Sequence, residues 1–250
     1  MQIIREYLTT IQDLIQKIIQ ENEEALKKGS QILADTISQD KLIHVFGTGG
    51  HSVMGAEEIF YRAGGLVPVN AILDDGLLLA NGAIRSTLIE RTPGYAKTIL
   101  DYYDLVMGDT LIIVNAYGVN SVTIDTALEC KRRGITSIAI TSVELQRNLP
   151  LNHPSRHPSK YNLCDLADIV IDTKVPMGDA VISIPGVSQK VGACSTFANA
   201  IALNSLILLT IEELIRRGIK PPIWQSANSP GGDEHNIEFI KKYKHRIKKL

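Results

Sequence analysis

Gly47-Thr48-Gly49-Gly50-His51-Ser52 joins an apolar run at 42–46 to a helix-forming segment at 53–61. A short apolar run of this kind reads as a buried parallel strand. Strand, glycine turn and helix start together make a pocket for an anion: the glycines let the backbone approach closely, N–H groups turn inward, and the helix dipole favours negative charge. The spacing matches neither the P-loop nor the dinucleotide fingerprint, and no lysine follows to reach outer phosphates. A sugar phosphate is therefore a better guest than ATP or a dinucleotide; a turn that serves only tight packing is the alternative. A second polar glycine turn, Asn115-Ala116-Tyr117-Gly118-Val119-Asn120-Ser121, follows the apolar run at 109–114. Its Asn115, Asn120, Ser121 and main-chain amides around Gly118 offer hydrogen bonds to the same kind of guest. A third candidate is Ser195-Thr196 at the head of a long apolar helix, where either hydroxyl caps the first turn or contacts a ligand.

The six histidines differ in setting. His51 sits on the first glycine turn, where it can donate to a phosphate or a sugar hydroxyl. His153 and His157 flank Pro154-Ser155-Arg156 in a polar, turn-rich stretch, and Arg156 is a candidate anion partner. His235, in Gly231-Gly232-Asp233-Glu234-His235-Asn236, can reach a site from the end of the chain or across a subunit boundary. His44 lies inside a strand and His245 in a basic tail, so both read as structural or solvated.

These residues need a frame to hold them. Apolar positions 4, 8, 11, 14, 15 and 18 recur at threes and fours, which describes an amphipathic helix, and a second helix spans 23–37 with Gly29 as a break. Residues 1–38 are thus an N-terminal helical extension, too short and too poor in basic residues for a DNA-reading unit, that packs on the body or on another subunit. Strands follow at 42–46, 67–73, 109–114, 135–141 and 167–172, with Pro68 marking the edge or start of the second. Helices alternate with them, so the expected architecture of 39–250 is α/β: a doubly wound, parallel five-stranded sheet in a three-layer sandwich. Ligands in such sheets bind beyond the carboxyl ends of the strands, and both glycine turns lie there. Residues 74–107 read as an irregular rim with one helix at 95–103, and an apolar helix at 193–217 ends at Gly218 before Pro221-Pro222.

Composition limits the functions open to the chain. With 250 residues, 21% charged, 44% apolar and net charge -1, no basic field invites nucleic acid. Three widely spaced cysteines with no C-x-x-C pair suggest buried thiols in a reducing cytoplasm. The start lacks the pattern of a signal peptide, and the most apolar stretch, 197–211, is interrupted by Asn199 and Asn204 and falls short of a membrane span.

The two strand-end turns and the serine-headed helix resemble the sugar isomerase (SIS) domain over roughly residues 35 to 235. A finer resemblance is to the UPF0309 group of stand-alone SIS proteins. It rests on His51-Ser52-x-Met54-x-Ala56-Glu57-Glu58-Ile59-Phe60-Tyr61-Arg62-Ala63-Gly64-Gly65-Leu66, Ser155-Arg156-His157, 166–172, Gly178-Asp179-Ala180, Ser226-Ala227-Asn228 and Gly232-Asp233-Glu234-x-Asn236. The resemblance implies a flavodoxin-like fold and a phosphorylated sugar held by Gly47, Thr48, Gly49, Gly50, Ser52, Asn115, Gly118, Asn120, Ser121, Ser195 and Thr196. It also implies a homodimer or higher homo-oligomer. One departure is the second turn, where the SIS pattern reads Ser-x-Ser-Gly and this chain has Asn115-Ala116-Tyr117-Gly118, so that Tyr117 can fill part of the phosphate site.

The implied chemistry is aldose–ketose isomerisation through an enediol, which needs a base at carbon and a group that moves protons on oxygen. Glu58, two turns into the helix after the first loop, is the expected base, with His51, His157 or His235 as its helper; an ion pair of Glu58 with Arg62 at i+4 is the alternative. The helical His-x-x-x-Glu pair shared by zinc-binding phosphoheptose isomerases is missing from the corresponding segment, so neither metal nor cofactor is expected. A non-catalytic phosphosugar sensor and an amino-sugar phosphate lyase or etherase are the rival functions.

Overall fold

The computed structural model describes residues 1–250. Its sheet consists of β1 (Ile43–Gly47), β2 (Val69–Ile72), β3 (Thr110–Val114), β4 (Thr136–Thr141) and β5 (Ile169–Asp172). They are all parallel in the order β2-β1-β3-β4-β5, with Val45 opposite Ala71 and Ile112, and Ile112 opposite Ile138. β2, which Pro68 precedes, is an edge strand. Successive residues of β3 serve opposite faces: Ile112 and Val114 join one buried cluster, Leu111 and Ile113 the other. That division makes three layers. One face is covered by α1 (Gln2–Glu21), α2 (Glu23–Ser38), α3 (Val53–Ile59) and α9 (Ser195–Arg216), and the other by α5 (Tyr95–Tyr102), α6 (Ser121–Arg133) and the short α8 (Leu163–Leu166).

The helices of residues 1–38 lie on the body. Leu26 and Leu33 of α2 are buried in the first core with Leu203 and Leu206 of α9. Gly29 does not interrupt α2; a Cβ there would stand 3.0 Å from Leu206 Cδ1, so the glycine lets two helices approach closely. α9 is long and apolar enough to cross a membrane, yet half of its most apolar window is buried against the protein's own core. The basic tail is pinned as well: Lys242 and Arg246 pair with Asp40 of the α2–β1 turn, and Tyr243 and Ile247 are buried beside Leu42, Val67 and Trp224.

The rim holds a helix absent from the sequence reading, α4 (Ala83–Glu90). Ser86 fixes it to the body, donating to Leu77 O at 2.8 Å and accepting from Gly50 N at 3.3 Å. Between β4 and β5 lie α7 (Val143–Asn148), a loop and α8. After β5, a small hairpin of β6 (Ala180–Ile182) and β7 (Val191–Ala193) leads into α9, and α10 (Gly232–Tyr243) closes the chain.

Candidate functional site

A cleft of about 490 Å3 opens beyond the carboxyl ends of β1 and β3, where the strand order reverses. The β1–α3 turn forms one wall and cannot be built without its glycines. A Cβ on Gly47 would stand 2.1 Å from Ser52 O, and one on Gly49, whose φ is +119°, would stand 2.4 Å from Glu90 Oε2. The β3–α6 loop forms the floor, shaped by its own side chains: Asn115 Oδ1 accepts from Gly118 N and Asn120 Oδ1 from Thr123 N, each at 2.8 Å. What remains is a ring of main-chain donors. The N–H groups of Gly49, Ala116, Tyr117, Val119 and Asn120, all cleft residues, have no acceptor within the chain. Buried amides are rarely left unpaired, so this concavity suits water or an anion. Arg91, exposed at the same cleft and in no ion pair, supplies a positive charge beside them.

Glu90, the last residue of α4, faces the same space with no hydrogen-bond partner. Burial pushes its carboxyl up to about 7, against the pull of neighbouring Arg91. Opposite lies the loop after α7. His153 Nδ1 accepts from Ser155 N at 3.3 Å and lies 2.7 Å from Ser155 Oγ, so the neutral ring carries its proton on Nε2. His51 and Ser52 also line the cleft. Asp179, at a left-handed φ of +65°, accepts from Cys194 N at 3.0 Å, Ser195 N at 2.7 Å and Ser195 Oγ at 2.7 Å. This carboxylate occupies the α9 N-terminus, which an outside anion would otherwise favour. The site thus sets a raised carboxyl and two imidazoles against a donor-lined hollow. No three of the chain's His, Cys, Asp and Glu side chains converge as metal ligands would.

A model of the SIS domain matches residues 6–142. The chain belongs to the SIS domain family. Within it, a UPF0309 protein of Caldanaerobacter subterraneus subsp. tengcongensis is 40% identical over 247 residues, covering 98% of each chain. A UPF0309 protein of Geobacillus kaustophilus is 36% identical over 244 residues, 98% of this chain and 95% of that one. Among solved structures, the fold is shared with phosphoheptose isomerases of Neisseria gonorrhoeae and Francisella tularensis. The first has a TM-score of 0.55 and 11% identity over 83% of this chain and 94% of that one; the second has 0.53 and 13% over 84% and 96%. It is also shared with the sugar isomerase domain of an RpiR transcription factor from Sphaerobacter thermophilus, with a TM-score of 0.50 and 12% identity over 98% and 99%.

In this SIS protein the expected residues separate into two sets. Gly49, Gly50, His51, Ser52, Asn115, Asn120 and Ser195 line the cleft, although the Ser195 donors are turned to Asp179. Gly47, Thr48, Gly118 and Ser121 serve the frame instead. Thr48 Oγ1 is buried 2.5 Å from Thr123 Oγ1, Ser121 is buried in the first turn of α6, and a Cβ on Gly118 would stand 2.6 Å from Thr141 Oγ1. Tyr117 forms part of the wall and leaves the cleft open.

Three expected catalytic side chains lie outside the cleft. Glu58 faces a separate hollow of about 50 Å3 between α3 and α9, which Thr196 also lines; it accepts from Asn204 Nδ2 at 3.1 Å and lies 3.6 Å from Arg62. The helical ion pair accounts for it: five residues beyond Val53, about 1.4 turns along α3, the side chain projects toward α9 and away from the cleft. His157 Nε2 lies 3.1 Å from Asp125, and His235 packs on Phe239 with Nε2 3.0 Å from Ile223 O. Arg156 is no anion site: burial leaves its guanidinium to the carbonyls of Gln146, Leu149 and Pro150 and to Asn162 Oδ1, which fold the loop carrying His153. The sequence pattern does not single out Glu90, Arg91 or Asp179, and it marks His153 only as one of two histidines flanking Pro154-Ser155-Arg156. The one signal for the first pair was an adjacent acid and base just before the Pro93-Gly94 break of the rim.

Proposed function

We propose that the cleft binds a phosphorylated sugar and that the protein interconverts its aldose and ketose forms through an enediol. The observation that carries this reading is the unpartnered Glu90 carboxyl, pushed up to about 7 by burial, in one cleft with five unpartnered amides. The amides and Arg91 take the phosphate. Glu90, as carboxylate, removes the proton from the carbon beside the carbonyl and returns it to the neighbouring carbon. A base needs a pKa near the working pH, which burial supplies to Glu90. His153, with its Nε2 proton, and His51 are the groups within the cleft that can donate to the carbonyl oxygen and pass a proton between the two oxygens.

Incubating the protein in deuterated water with a panel of aldose and ketose phosphates tests the reading. Deuterium should enter the carbon next to the carbonyl of at least one of them, and E90Q should abolish the exchange while binding persists. A panel that stabilises the protein thermally and never exchanges would instead leave a phosphosugar sensor, since one fold hosts both roles.

The expected partner is a second copy of the chain. α9 carries Phe197, Ile201, Asn204, Leu208, Ile211 and Ile215 at spacings of four and three, a seam suited to helix pairing. None of these six is among the helix's buried residues.

A further inference from the structure

Besides the β1–α3 turn, three distant parts of the chain line the cleft: the end of α4 with Glu90 and Arg91, the β3–α6 loop with its amides, and the loop after α7 with His153 and Ser155. Asp125, in α6 and outside the cleft, ties them together. Its Oδ2 accepts from the main-chain N–H of Gly94 at 2.6 Å, four residues beyond Glu90 and at the head of α5. Its Oδ1 lies 3.1 Å from His157 Nε2, and both side chains are largely buried, 17% and 11% exposed. The His157 ring is itself oriented: Ser159 N donates to its Nδ1 at 3.1 Å, so the proton of the neutral ring sits on Nε2 and points to the carboxylate. The His157 main-chain N–H donates to Val119 O at 2.8 Å, and Leu163 N to Gly118 O at 2.9 Å, which fastens the same loop to the amide ring.

We propose that Asp125 and His157 form a positioning unit that sets the separation of Glu90 from His153. Neither group touches the substrate. Their carboxylate–imidazole contact links two of the walls, so loss of Asp125 removes a tie from each at once, whereas loss of His157 removes a tie from one alone. Reacting groups that drift by about 1 Å can lose about a hundredfold in rate. The inference rests on the isomerase reading above for its kinetic consequence, though the coupling of the walls stands without it.

Variants D125A, D125N, H157A and H157Q of the full chain test it, with the sugar phosphate that the wild-type protein exchanges fastest. D125A should lose at least about tenfold in kcat, with KM changed by no more than about threefold, because the amides and Arg91 remain. D125N should be as poor, since its amide turns a donor toward one of two donors. H157Q can still present an N–H where His157 Nε2 stood, so it should recover most of what H157A loses. Wild-type kcat in folded D125A, or an H157Q no better than H157A, overturns the proposal. If the wild-type protein exchanges no sugar phosphate, the isomerase reading fails, and amide hydrogen exchange decides the positioning unit alone. D125A should then speed exchange in peptides covering both 90–94 and 153–157, and H157A only in the second. Unchanged protection of 90–94 in D125A, or in D125N should D125A not fold, overturns it.

Discussion

Glu90 carries opposite consequences for rate and for stability, and the two can be measured separately. Its folded pKa, about 7, lies above the ordinary 4.5, so between those values the folded protein holds a proton that the unfolded chain releases. Stability therefore falls as pH rises from 4.5 to 7 and stays lowered above. E90Q removes the buried charge: it should melt higher than the wild-type protein at pH 8 and at nearly the same temperature below pH 4.5. The rate moves the other way, since the base must be ionised, so kcat/KM should rise tenfold per unit of pH below 7 and level off above it. A wild-type profile flat from pH 5 to 8, or an E90Q protein less stable at pH 8, would remove Glu90 from the role of base. Gly49 belongs to the same argument. G49A places a methyl against the Glu90 carboxylate at a φ of +119°, so it should unfold more easily by about 1–3 kcal/mol in denaturant titration and lose exchange activity.

The helices differ in how much of their position the sequence reveals, and the cause is visible in what each one buries. α9 and α6 show their ends: Gly218 with Pro221-Pro222 stops one, and Asn120 and Gly134 cap the other, the latter at φ +69°. The strands read as apolar runs because both faces are covered. α4 is hard to read for its length: eight residues hold a single apolar i, i+4 pair, Ile84 and Leu88, which stays 79% and 65% exposed, and Ser86 is its only buried residue. The donor-lined hollow is readable from two glycine turns, whereas the acid in the same cleft rides on a short helix inside what reads as an irregular rim. Glu58 misled for the converse reason, since its helix was plain but its direction of projection was not. Removing a single polar anchor should show how α4 is held. S86A leaves Gly50 N and Leu77 O unpaired, which costs about 1–3 kcal/mol and frees Glu90 from the glycine turn. N120A, by comparison, should cost about 1 kcal/mol as a lost cap on α6. Chemical denaturation measures both, and the exchange assay should separate them, with S86A the more damaging to turnover per unit of stability lost.

At the scale of the whole molecule, α1, α3 and α9 pack together and carry several exposed apolar side chains. Ile4 and Leu8 of α1, Met54 of α3 and Phe197, Leu208 and Ile215 of α9 are each between 44% and 65% exposed. Together they offer on the order of 600 Å2 of apolar area, near the limit for a monomer's largest patch. A second copy related by a two-fold axis would cover the seam with itself, since an isologous contact needs only one self-complementary surface. The face also lies close to the cleft's own supports. Tyr7 of α1 packs edge-on against Phe197 at 6.2 Å and donates to Ala193 O at 2.5 Å, in β7 of the hairpin that follows Asp179. Pairing would hold α1, and through it the strand that leads into Ser195. L208D places a charge at the middle of the seam without touching any cleft residue. The wild-type protein at about 10 μM, where an interface of standard size remains associated, should run as a dimer or larger by light scattering, and L208D as a monomer. If L208D also loses exchange activity with its melting temperature kept, the cleft depends on the pair; a wild-type protein that is monomeric at this concentration rules the seam out as a self-contact.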